Sequence, residues 1–71
     1  MQPRAWYFHE ADGTRHGPSF TEWQAKVEAG RYAVRRPKLE PETALILFRS
    51  LVKLGWRVDH TGTKFIPPPR S

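Results

Sequence analysis

A chain of 71 residues without a cysteine has to be held together by apolar packing alone. Neither a disulfide framework nor a thiolate zinc site can close its loops. Such a length supports one small domain. Its core must come largely from aromatic side chains, and the chain has four Phe, three Trp and two Tyr. That is more ring surface than a core this small encloses, so part of it is expected to face a partner. The domain is expected over 1–66. Pro67-Pro68-Pro69-Arg70-Ser71 reads as an extended disordered tail or as a ligand for a proline-reading domain.

Local patterns give an α+β domain, a small antiparallel sheet from two hairpins packed with two helices. Ala5-Trp-Tyr-Phe-His9 is a run of strand formers, and the Asp12-Gly13 pair after it suits a tight turn into a return strand over Thr14–Gly17. Consecutive strand residues face opposite ways, so Trp6, Tyr7 and Phe8 cannot all be buried on one side. Ser19-Phe-Thr-Glu22 has the spacing of a capping box, which predicts a helix over about 20–29 stopped by Gly30. Phe20, Trp23 and Val27 would form its core face. Tyr32-Ala-Val34 then reads as a short strand in a connector. Pro41 with Glu40 and Glu42 opens a second helix over about 41–54, with a broad apolar face from Ala44 to Leu54 and a stop at Gly55. Trp56–Asp59 and Thr63–Ile66 alternate around His60-Thr-Gly62 as a second hairpin.

The net charge of +5 is carried by the second half. Residues 1–34 balance Arg4, Arg15, Lys26 and Arg31 against Glu10, Asp12, Glu22 and Glu28. Beyond them, Arg35, Arg36, Lys38, Arg49, Lys53, Arg57, Lys64 and Arg70 face only Glu40, Glu42 and Asp59. This asymmetry points to an acidic partner, a protein face or a nucleic acid, as readily as to solubility. No apolar run approaches the roughly 20 residues of a membrane span, and the start lacks the apolar stretch of a secretion signal. A cytoplasmic monomer, in a bacterium or a phage-infected host cell, is the expectation.

The residues that would carry catalysis are scattered. His9 and His16 can face each other across the first hairpin, but no third ligand stands at metal spacing, so no metal or cofactor is expected. Ser19 is taken by the helix cap and Asp12 by the turn. Gly13-x-x-x-Gly17 lacks the lysine of a phosphate loop. An enzyme is therefore not expected. For nucleic acid, Arg31, Arg35, Arg36 and Lys38 with Tyr32 and Trp56 combine charge and stacking surface, but no helix carries a basic run for a major groove.

Trp6-Tyr7-Phe8, Gly13, Gly17-Pro18, Ser19-Phe-Thr-Glu-Trp23 and Ala29-Gly30-Arg31 together resemble GYF-type domains, particularly their short bacterial branch. The likeness covers about residues 6–32. It lacks the aromatic that follows Gly-Pro in that pattern, and the segment after Gly30 departs from it, with a long apolar helix and hairpin in place of the family's usual ending. It implies a binding fold and, as one alternative, an adaptor that grips proline-rich peptides with Tyr7, Phe8, Gly17, Pro18 and Trp23. In size, charge and lack of cysteine the whole chain resembles phage-encoded regulators of host RNA polymerase. The leading expectation joins these strands. It is a non-enzymatic protein-binding regulator of transcription that docks on an acidic face of bacterial RNA polymerase. Arg31, Arg35, Arg36 and Lys38 would meet the charge, with Tyr7, Phe8 and Tyr32 as apolar anchors. A nucleic-acid-binding protein is the third reading.

Overall fold

A computed structural model describes residues 5–61. The elements follow the order β1 (Ala5–His9), β2 (Arg15–Ser19), α1 (Glu22–Val34), α2 (Pro41–Lys53) and β3 (Arg57–Thr61). The α+β class stands: a three-stranded antiparallel sheet in the order β2-β1-β3 packs against two helices. The expected return strand Thr63–Ile66 and the tail 67–71 lie outside the described residues. His60 and Thr61, read from sequence as a turn, continue β3 opposite Trp6 and Ala5.

The first turn closes as its sequence predicts. Glu10 N–H donates to Thr14 O at 2.9 Å, and Gly13, at φ 96°, donates to Glu10 O at 2.9 Å. The Asp12 carboxylate accepts from Thr14 N–H at 2.9 Å. That bond holds the Asp12 carboxyl below the usual carboxylate range. Further along the hairpin, His16 pairs with Phe8 but Ser19 with Trp6, so Gly17 and Pro18 together oppose Tyr7 in a bulge. Gly17 sits at φ 139°, and a Cβ there would lie 2.8 Å from Tyr7 Cδ2. Only glycine fits this position.

The first helix differs from its sequence reading at both ends. Ser19 belongs to β2 and is buried, so it is not available as a cap. Thr21 takes the role two residues later, its Oγ1 accepting from Gln24 N–H at 3.0 Å. Gln24 Oε1 reaches back to accept from Phe20 N–H at 3.2 Å. Phe20 is thereby left outside the helix, 84% exposed. Trp23 is 54% exposed, so of the expected core face only Val27 is buried. At the far end α1 runs through Gly30 and takes in Tyr32–Val34, the segment read as a strand. It stops at Arg35, in the left-handed conformation at φ 57°, where Arg35 N–H donates to Tyr32 O and Arg36 N–H to Arg31 O.

Gly30 is used for close approach. The face of α1 formed by Ala25, Ala29 and Gly30 is buried, and a Cβ on Gly30 would collide with the backbone carbonyl of Ala44 on α2. α2 matches its expected span, with Pro41 in its first turn, Glu42 beside the positive end and Lys53 in the last turn. Phe8 from β1, Ala29 from α1 and Phe48 from α2 form the buried core, with Trp56 and Val58 against it. Replacing Gly30 by Ala should therefore cost about 3 kcal/mol or more in urea unfolding, since the clash is with backbone. A variant as stable as the parent would mean that the helices do not approach this closely.

Candidate functional site

The site is built around Phe8. Next to last in β1, with its side chain toward the helices, Phe8 is 4% exposed. His16 lies opposite it on β2 and stacks on its ring, centroids 4.7 Å apart and planes 18° apart. Trp56, just before β3, also lies nearly parallel to the Phe8 ring, at 6.0 Å and 9°. Tyr32 of α1 leans on all three, 4.4 Å from His16, 5.8 Å from Phe8 and 6.4 Å from Trp56. The Arg35 guanidinium is 5.7 Å from the Tyr32 ring centroid. The His16 ring is held by Glu10, with Nε2 2.6 Å from Oε2.

Beside this stack an open groove of about 530 Å³ separates β2 from α1. Gly17, Pro18 and Ser19 form one wall. The other is a single stripe of α1, Gln24, Glu28, Arg31 and Tyr32, at the three- and four-residue spacings of one helical face, continued by Arg35 at the C-cap. α1 runs back antiparallel to β2, so the groove leads from Gln24 and Ser19 to Tyr32 and Arg35. Its cationic end continues into a shallower depression along Arg35, Arg36 and Lys38. Arg31 has a structural bond there as well, its Nε donating to Leu39 O at 2.8 Å. The three exposed cations of the connector, Arg35, Arg36 and Lys38, are the charge a ligand would meet first.

Among the residues expected to bind an acidic partner, Phe8, Arg31, Tyr32 and Arg35 converge on this groove, and Arg36 and Lys38 extend it. Phe8 is its floor; the accessible rings are Tyr32 and His16. Tyr7 is not part of it. It points to the other face of the sheet, where Arg15 lies 4.4 Å over its ring. Of the proline-peptide set, Phe8, Gly17 and Pro18 line the groove, while Trp23 lines a separate depression with Leu45 and Arg49. Gln24, Glu28 and Pro37 line the groove without having been singled out from sequence, and His16, considered there only as a metal ligand with His9, lines it too. The signal for His16 was its place opposite Phe8 once the turn is set. Gln24 and Glu28 needed the phase of a helix that continues to Arg35.

His9 and His16 do not face each other. His9 is paired in the sheet with Arg15, and its Nε2 is 3.0 Å from Asp59 Oδ1. Among the described residues no three or more His, Asp or Glu side chains cluster as a metal site would require. No helix among them is long and apolar enough to cross a membrane. The groove offers the rings of Tyr32 and His16, a wall from Gly17, Pro18 and Ser19, and a cationic end at Arg35.

Compared with protein-family models, with curated proteins and with solved structures, the chain matches none. Phe8 and Trp23, joined in the proline-peptide reading, should separate in a stability experiment. Phe8→Ala is expected to cost about 3–5 kcal/mol as a core cavity, and Trp23→Ala under about 1 kcal/mol as a largely exposed side chain. Equal losses on denaturation would contradict the placement of Trp23.

Proposed function

We propose that this chain is a non-catalytic protein-binding module whose groove between β2 and α1 receives a segment of an acidic partner. The observation that carries the reading is the joining of Tyr32 and His16, an accessible aromatic pair, to the exposed cations Arg35, Arg36 and Lys38 in one continuous surface. An aromatic pair beside arginines is the composition of interface hot spots. An excess of exposed positive charge, here Arg35, Arg36 and Lys38 over Glu28 and Glu40, speeds association with an acidic face and fixes register. Bacterial RNA polymerase is the partner we put first, on the chain's likeness in size and charge to phage-encoded regulators. Occlusion of another factor would then be the mode of regulation.

A GYF-type adaptor is the second reading. It is favoured by Gly17, Pro18 and Phe8 lining the same groove beside Tyr32. A proline-rich segment enters such a groove at little entropic cost because it is already extended. Tyr7 and Trp23 would take no part.

Immobilised protein exposed to nuclease-treated bacterial lysate should retain RNA polymerase subunits. Arg35→Glu with Arg36→Glu should lower that retention at least tenfold while circular dichroism stays unchanged. Undiminished retention by the double variant would remove the proposed surface. Recovery of a proline-rich protein would favour the adaptor, and capture that depends on omitting nuclease would make the basic half a nucleic-acid site.

A further inference from the structure

We infer that the partner segment binds by adding a strand to the free edge of β2, as a short acidic stretch of a protein paired to the backbone of Arg15 and Gly17. This rests on the groove being the binding site. β2 is an edge of the sheet, with β1 on one side and no partner strand on the other among the described residues. Such an edge is a template for pairing unless something blocks it.

The hydrogen-bond alternation tells which groups are free. Glu10 N–H donates to Thr14 O at 2.9 Å, so Phe8 and His16, two steps along, form the next directly bonded pair. Arg15, between Thr14 and His16, turns its N–H and C=O outward, and Gly17 is the next position of that kind. Pro18 has no N–H and shares the bulge with Gly17, whose own N–H lies on the peptide unit of His16 and so still faces outward; the pairable edge therefore ends at Gly17. Past that point an incoming chain would touch Pro18, Ser19 and Gln24 through side chains only.

The groove occupies the helix-facing side of this edge. A strand laid against β2 runs about 4.8 Å from it and alternates its side chains between the two faces. Those turned to the helices meet Tyr32 and His16 and, at the end near the hairpin turn, Arg35. Those turned away meet Arg15 over Tyr7. Both faces present a cation beside an aromatic ring. The segment that fits therefore carries an apolar residue for Tyr32 and His16, with acidic residues on both faces near the turn. A proline-rich segment does not fit, because it lacks the N–H groups that the free carbonyls require.

The probe is a set of dodecapeptides selected on the full chain from a random library, then read by amide exchange and by N-methylation of each peptide bond in turn. Strand addition predicts acidic sequences, slowed exchange at Arg15 and Gly17 only when peptide is bound, and about fivefold weaker binding on N-methylation at alternate positions. Suppose the peptides perturb Tyr32 and His16 but leave exchange at Arg15 and Gly17 unchanged, or tolerate N-methylation throughout. Strand addition is then overturned while the groove stands. Slow exchange at Arg15 without peptide also overturns it, because the edge would already be covered. Failure to enrich any peptide, or binding indifferent to Tyr32→Ala in a variant that remains folded, would overturn the groove and the strand with it.

Discussion

The rest of the structure depends on the approach of α1 to α2 at Gly30. With no side chain there, the backbone of α1 can lie against the Ala44 carbonyl, and the small face of Ala25 and Ala29 follows it into the interface. A helix packed this closely gains from continuing, so α1 extends through Val34 before Arg35 turns it off. That extra turn brings Tyr32 onto Phe8 and His16 and sets Arg35 above Tyr32. Had α1 ended at Gly30, the stripe that forms one wall of the groove would have no Tyr32 and no Arg35. The helix contact on one side of α1 thus accompanies the candidate surface on the other.

The aromatic stack links core and site. Phe8 contributes to stability through burial, worth about 1.5–3 kcal/mol for a side chain of this kind, and it also supports the two rings that a ligand can reach. In a small domain the same residues must serve both purposes, because there are too few to divide between them. Glu10 completes the arrangement from the hairpin turn, holding His16 by its Nε2 so that the ring lies flat on Phe8. Bulge and glycine serve the same end. Gly17 lets β2 pass close over Tyr7, and Pro18 then sits in the groove wall.

Much of this was legible in the sequence where the deciding forces are local. The turn at Asp12-Gly13, the span of α2 and the aromatic strand follow from residue types at fixed spacings. The ends of α1 did not, because two of its letters have two uses. Ser19 can cap a helix or end a strand, and the pairing of Ser19 with Trp6 selects the strand. Gly30 can stop a helix or admit a neighbouring backbone, and only the position of Ala44 distinguishes these. The candidate site inherited both errors. Moving the cap to Thr21 put Phe20 and Trp23 on the surface, away from the groove, and extending the helix joined Gln24 and Glu28 to Tyr32. Tyr7 lies on the face away from the groove for another reason. Alternation along a strand says that neighbours face opposite ways but not which of them faces the helices.

The central claim, that α1 carries Tyr32 past Gly30 onto His16, is open to one direct measurement by NMR. Backbone carbon shifts should remain helical through Val34, and the rings of Tyr32 and His16, 4.4 Å apart by centroid, should show strong mutual proton cross-relaxation. Helical shifts ending at Gly30, with no transfer between those two rings, would contradict the account of both the fold and the groove.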